Sequence, residues 1–179
     1  MYDEIQLVLG DKSHLEYDDV EKLTYLNQVI NETLRMFPPA ISVAKMAIAD
    51  TEIERYPFPT DVSFFNQFLI FLKSYLEIDI VGLHYNPKVW KNPENFDPDR
   101  WSPERIKEIP LLRFSWIPFS AGSRNCVGKL FAQTEAPLLC SMILQEYSVD
   151  LIDKNDKVSM DATFILKAEN LNLKLTKRN

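Results

Sequence analysis

Apolar residues recur at Val20, Leu23, Leu26, Ile30, Leu34 and Phe37, a spacing close to the 3.6-residue period that predicts an amphipathic helix. Asp18 or Asp19 stands where its side chain can cap the first turn. Pro38-Pro39 then stops the helix, because proline lacks a donor and pushes its predecessor away from helical angles. From residue 41 to 58 the pattern changes to short extended runs, Ile41-Ser42-Val43 and Thr51-Glu52-Ile53, separated by Asp50 and closed by Pro57 and Pro59. A small antiparallel sheet is predicted there. Residues 86–110 are dense in Pro, Asn and Asp, which predicts a turn-rich segment with a short helix near 103–107. Residues 127–147 read as a long helix, with Leu130, Phe131, Leu138 and Met142 expected on its buried side. Pro137 falls inside it and costs ~3 kcal/mol unless a kink is accommodated. Tyr147, Val149 and Leu151, then Leu171, Leu173 and Leu175, alternate at period two. They predict a terminal pair of strands around a charged loop.

Composition narrows the class. At 179 residues, 46% hydrophobic and 12% aromatic, the chain suits a globular domain with a real core. A net charge of −6, with Lys and Arg scattered, argues against a nucleic-acid partner. The most apolar stretch, 62–83, is interrupted by Lys73, Glu77 and Asp79, so no membrane span is expected, and no signal or transit peptide opens the chain. Two cysteines in unlike settings, Cys126 in a Gly/Arg turn and Cys140 in an apolar run, predict no disulfide and fit a reducing compartment.

The candidate chemistry concentrates in Phe119-Ser120-Ala121-Gly122-Ser123-Arg124-Asn125-Cys126-Val127-Gly128, which holds two of the four glycines. A thiol at the mouth of the following helix faces the positive end of its dipole, a setting that stabilises a thiolate. The alternative is an inert buried thiol, the usual fate of a free cysteine. With no partner Cys or His nearby, one axial bond to a haem iron suits it better than a four-ligand zinc site. Cys140 reads as plain core, and His14 and His84, standing alone, as structural or surface residues. Glu32 and Arg35 share a helix face. Spacing alone favours an exposed pair worth under ~1 kcal/mol; the alternative is a buried pair that clamps a second segment, with Arg100 as third member. No phosphate loop, nucleophile elbow or zinc motif is present, and no carboxylate pair is singled out for acid/base work.

Three motifs occur together and in order: Glu32-Thr33-Leu34-Arg35, then Phe96-Asp97-Pro98-Asp99-Arg100-Trp101, then Phe119-x-x-Gly122-x-Arg124-x-Cys126-x-Gly128. With Leu83-His84-Tyr85-Asn86-Pro87-Lys88-Val89-Trp90 they make the chain resemble, over nearly its whole length, the C-terminal part of the cytochrome P-450 family, in its eukaryotic microsomal branch. The resemblance implies a mainly α fold with small β-sheets, residues 1–179 forming part of one domain. Its parts would be the motif helix, sheet segments around 41–83, a meander, the cysteine loop, a long final helix and a terminal β-hairpin. It implies haem b (iron protoporphyrin IX) as cofactor and Cys126 as the iron's thiolate ligand, its sulfur bonded by backbone N–H groups. Phe119 would pack beside the ligand, Gly122 would permit the tight turn, and Gly128 would let the helix approach the porphyrin. Arg124 and Lys45 would meet the propionates, lysine lacking arginine's fork. Glu32, Arg35 and Arg100 would form a structural triad.

The implied activity is monooxygenation of a small lipophilic substrate, with electrons from an NADPH-cytochrome reductase or similar donor met near Lys129, Arg105 and Lys107. The parent protein would sit on the cytosolic face of the endoplasmic reticulum membrane, its anchor and oxygen-activating residues lying outside this chain. The competing readings are a truncated piece without catalysis, a haem-thiolate isomerase or dehydratase needing no electron supply, and a helical interaction module. Residues 64–76 depart from the family pattern as an insertion, either a retained short intron or an apolar membrane-contacting loop. Transcript sequencing separates these: mature mRNA is expected to lack the codons for 64–76, and their consistent presence would reject the intron.

Overall fold

The computed structural model describes residues 1–179 except 11, 48, 54, 59–74, 154–157, 163–164 and 179. The chain opens with a helix that the sequence reading missed, α1 (Tyr2–Leu9), which buries Ile5. Its apolar positions Ile5, Val8 and Leu9 carry the i, i+3, i+4 signature over only two turns. The periodic run from Val20 to Phe37 is divided. Tyr17–Lys22 is a 3-10 turn and α2 spans Thr24–Met36, with Leu23 (φ −80°, ψ 64°) between them and Phe37 just beyond the end.

Asp19 therefore does not cap α2. Its carboxylate accepts the Glu16 N–H at 3.0 Å and pairs with Lys12 (2.6 Å) and Lys22 (2.8 Å). The hydrogen bonds from those two lysines hold its pKa well below the usual carboxylate range. The first N–H groups of α2 are capped from a distance by Glu4 of α1, which accepts from Tyr25 (2.6 Å) and Leu26 (3.0 Å). An anion at a helix N-terminus satisfies orphan donors and the helix dipole together.

The strands pair two by two, all antiparallel. The sequence reading expected β1 (Ser42–Met46) and β2 (Thr51–Ile53) to share one small sheet, but they do not pair with each other. β2 turns back onto β3 (Tyr56–Phe58), and β1 takes β4 (Tyr75–Asp79), with Ser42 opposite Asp79 and Met46 opposite Tyr75. Most of the predicted insertion lies outside the described residues; its last two, Tyr75 and Leu76, open β4. The predicted sheet to residue 83 stops at Asp79, where α3 (Ile80–His84) begins. The Asp79 carboxylate caps α3 through the Gly82 N–H at 2.8 Å. A Cβ at 82 would lie 2.2 Å from the other carboxylate oxygen, Asp79 Oδ2, so a side chain there would displace the cap.

In the turn-rich segment the helix expected at 103–107 is replaced by 3-10 turns at Pro98–Trp101 and Ile106–Glu108, followed by a short α4 (Leu112–Ser115). The long helix α5 runs Lys129–Glu146 with Pro137 inside it. Its buried side is set by Pro137 and Ser141, with Leu138, Cys140 and Leu144 half-buried against the core. Leu130, Phe131 and Met142 are exposed, contrary to expectation. Apolar residues surround most of this helix, so periodicity could not select the inward face.

α5 feeds β5 (Tyr147–Leu151), which pairs with β8 (Leu173–Lys177) as predicted, Tyr147 opposite Lys177. The charged loop between them holds a further hairpin, β6 (Ser159–Asp161) with β7 (Lys167–Glu169). The core joins α1, α2 and α5 through Ile5, Leu15, Leu23 and Leu26, packed by Val8, Ile30 and Leu144. Arg178 stitches the end of the chain to both helices: its N–H donates to Glu146 O (2.7 Å), and its guanidinium lies 3.9 Å over the Tyr2 ring. Among the described residues no helix is long and apolar enough to cross a membrane.

Leu26 is central to this cluster. Leu26→Ala is expected to cost about 2–5 kcal/mol, the range for a buried leucine that leaves a cavity. Urea unfolding followed by helical circular dichroism measures it; an unchanged midpoint would remove this cluster as the organising core.

Candidate functional site

Glu32 and Arg35, from adjacent turns of α2, are both fully buried (0% exposed) rather than forming the surface pair that spacing favours. The Glu32 carboxylate accepts five hydrogen bonds: Arg35 Nε (2.9 Å), Arg35 Nη2 (3.0 Å), Arg100 Nε (3.1 Å), Trp101 Nε1 (3.0 Å) and the Asp97 N–H (3.0 Å). Burial by itself would raise the pKa of this carboxyl. The bonds from Arg35, Asp97 and Trp101 outweigh it and hold the pKa below the ordinary glutamate value.

The two guanidiniums spend their remaining donors on backbone carbonyls. Arg35 reaches His84 O (2.9 Å) and Pro93 O (2.8 Å), and Arg100 reaches Lys91 O and Asn92 O (2.7 Å). Residues 84–101 have little regular structure of their own, so these donors satisfy carbonyls that a sheet or helix would otherwise serve. Arg35 also lies 5.4 Å from the ring centroids of Tyr85 and Trp90. Trp101 stands between Trp90 (5.8 Å) and Trp116 (5.0 Å), extending an aromatic stack beneath the clamp. Sequence reasoning missed Trp101 and the Asp97 N–H as donors; their signal was membership of the same short run as Arg100.

His84 is buried with both ring nitrogens partnered, a satisfied structural histidine. Nδ1 lies 3.0 Å from Arg35 O, and Nε2 accepts the Ile117 N–H at 2.9 Å. A backbone amide can only donate, so Nε2 carries no proton and Nδ1–H donates to the carbonyl. Burial pushes the pKa of His84 down to about 4. His14, by contrast, is exposed, 2.9 Å from Ser13 Oγ.

The cysteine loop folds on itself. Ser120 N–H donates to Ile117 O (2.9 Å), Cys126 N–H to Phe119 O (2.9 Å), and Ala132 N–H to Gly128 O (2.9 Å) at the start of α5. Gly122 has φ +92°, a left-handed turn that a side chain would strain. Gly128 has an ordinary φ of −81°, and a Cβ there would meet Cys126 Sγ at 3.8 Å, an unstrained contact. Cys126 and Arg124 are exposed, and Phe119 is half-buried. Just after the thiol in the chain, Val127 (102%), Leu130 (67%) and Phe131 (69%) are all exposed. Lys45 lies on β1 opposite Leu76, and among the described residues it makes no hydrogen bond or ion pair with the loop. Arg105 is engaged by Asp97 in a forked pair at 2.7 and 3.1 Å, which lowers the Asp97 pKa.

Two outcomes follow from the clamp. Glu32→Gln removes the one carboxylate facing two buried guanidiniums and is expected to cost about 3–5 kcal/mol, read from urea midpoints at neutral pH. Acid is expected to weaken the fold in two stages. His84 binds its proton in the unfolded chain near 6.5 but in the folded chain only near 4. Stability therefore falls as pH drops from 6.5 towards 4 and is unaffected above that window. Glu32, whose folded pKa is depressed, adds its loss as pH falls below its ordinary value of 4.5. Midpoints measured against pH check this, and a rise in stability between pH 6.5 and 4.5 would contradict it.

Comparison with known proteins gives the family. The sequence profile of the family Cytochrome P450 matches residues 1–175. The chain is 33% identical to cytochrome P450 4A10 of Mus musculus over 170 residues, covering 94% of this chain and 30% of that protein. It is 37% identical to cyclooctatin synthase of Streptomyces melanosporofaciens over 145 residues, covering 80% of this chain and 28% of that protein. Its fold matches the crystal structure of the cytochrome P450DA heme domain with a TM-score of 0.80 at 27% identity, covering 99% of this chain and 36% of that one. The chain thus spans about 30% of the length of the curated relatives it matches. With a profile match along nearly its whole length, this chain belongs to the cytochrome P450 family.

Proposed function

We propose that this chain forms the thiolate-bearing part of a haem-dependent monooxygenase, with Cys126 Sγ as the protein ligand to the iron of haem b. The observation that carries the reading is an exposed thiol at the mouth of α5, on a loop closed by its own backbone bonds and flanked by exposed Val127, Leu130 and Phe131. Such a site would suit a flat, largely apolar ring, with Cys126 as a soft ligand for its iron. When bound, the haem supplies dioxygen activation, so that one oxygen atom enters an organic substrate.

The chain's own residues have distinct tasks. Cys126 would supply its sulfur to the iron, and backbone N–H groups after it at the start of α5 would tune that sulfur's basicity. Phe119 excludes water beside the sulfur, while Gly122 permits the turn and Gly128 the close approach of the helix. The exposed Arg124 offers a fork to one propionate, and Lys45 a point charge to the other. Glu32, Arg35 and Arg100 hold the irregular segment 84–101 in place and touch no substrate.

The electron donor is a reductase of the NADPH-cytochrome type, and Lys129 and Lys107 are the cations available to meet it; Arg105 has its fork occupied by Asp97. The substrate is small and lipophilic, and the parent enzyme works at the cytosolic face of the endoplasmic reticulum membrane. A second reading is a haem-binding piece without turnover. The coverage of about 30% of the relatives' length and the exposed Phe131, Leu139 and Met142 of α5 favour it.

Haem titration of the chain tests the ligand. The reduced carbon-monoxide complex is expected to show the red-shifted band of a thiolate-ligated haem. Cys126→Ala is expected to abolish that band and Cys140→Ala to leave it. An identical spectrum in Cys126→Ala rejects the assignment. Substrate turnover by the chain with an added reductase would reject the second reading.

A further inference from the structure

Among the described residues, one side-chain hydrogen bond joins the irregular segment bearing the clamp to the loop bearing Cys126. Arg35 and His84 are linked reciprocally: Arg35 Nη1 donates to His84 O (2.9 Å), and His84 Nδ1–H donates to Arg35 O (3.0 Å). The ring is thereby locked in position with its second nitrogen aimed at the Ile117 N–H, 2.9 Å away. Ile117 and the contact are buried.

Ile117 is also the root of the cysteine loop. Its carbonyl receives the Ser120 N–H, and two residues on, the Phe119 carbonyl receives the Cys126 N–H, both at 2.9 Å. Among the described residues no other hydrogen bond ties 116–128 to an element outside 110–132. Packing of Trp116 on Trp101 supports the same region but sets no backbone register.

We infer that His84 is a positioning residue for the cysteine loop, presenting Nε2 as the acceptor that holds the Ile117 N–H and, through it, the place of Cys126. The consequence for haem rests on the ligand role proposed for Cys126; the backbone consequence does not. The role requires the Nδ1–H tautomer, since a proton on Nε2 would oppose the Ile117 donor. It also requires an acceptor, not merely a ring of this size.

Two variants separate the two halves of the imidazole. In His84→Asn the side-chain amide nitrogen falls near Nδ1, so the donor to Arg35 O is kept and the acceptor is lost. In His84→Gln the amide oxygen falls near Nε2, so an acceptor for Ile117 is kept. Amide hydrogen exchange of Ile117 in the 179-residue chain is expected to quicken about tenfold or more in His84→Asn, because a buried N–H is left without an acceptor. In His84→Gln it is expected to stay near the unsubstituted chain.

After haem titration, the thiolate-type fraction of the reduced carbon-monoxide complex is expected to fall in His84→Asn and to persist in His84→Gln. Equal Ile117 protection in His84→Asn and the unsubstituted chain overturns the inference, as does equal loss in both variants, which would indicate packing alone. Nitrogen-15 spectra of the unsubstituted chain give a check that needs no variant: a proton on His84 Nε2 also overturns it. Absence of the thiolate band from the unsubstituted chain would defeat the ligand reading, while the amide and tautomer measurements still decide the role of His84.

Discussion

One buried carboxylate organises this molecule. Glu32 accepts from two guanidiniums, an indole and a backbone amide, and so joins α2 to a segment more than sixty residues later in the chain. Removing charges from water costs several kcal/mol per ion, and only full hydrogen bonding offsets that cost. Here every oxygen of Glu32 is served, and the excess positive charge of Arg35 and Arg100 is spread over the carbonyls of residues 84, 91, 92 and 93. The arrangement is better suited to specifying one conformation than to adding stability. An irregular segment has few ladders of its own, and these donors choose its path.

The clamp also sets the surroundings of the cysteine loop. Trp101 donates to Glu32 with one edge of its indole and packs against Trp90 and Trp116 with the rest. Trp116 lies next to Ile117, where the loop begins. The loop itself is held by short-range backbone bonds and the left-handed turn at Gly122. The thiol can therefore stand exposed without being loosely held, combining the access at sulfur and rigidity at the backbone that the proposed ligand role would need.

α5 joins the two halves of this design. Its inward side, around Pro137, Ser141 and Leu144, closes the core with α1 and α2, and its outward side carries Leu130, Phe131, Leu139 and Met142. A helix with apolar residues on both sides ordinarily lies between two layers. The chain matches about 30% of its relatives' length, and here the outward apolar side of α5 is exposed.

Much of this was readable from residue order alone. The period of α2, the stop at Pro38-Pro39, the terminal strand pair and the loop around Cys126 follow from local rules of periodicity, backbone freedom and turn chemistry, and the three spaced motifs identified the family. Local rules cannot assign partners. Glu32 and Arg35 have the same three-residue spacing whether exposed or buried, and Arg100 and Trp101, brought in by tertiary folding, decided the matter. β1 needed β4 rather than β2, and α5 turned its Pro137 side inward although its apolar pattern allowed other choices. Residue types and their local order determined which segments could be helix, strand or turn. Tertiary packing decided which charges were taken out of water and which faces were hidden, because burial belongs to pairs of distant surfaces and to no single stretch of chain.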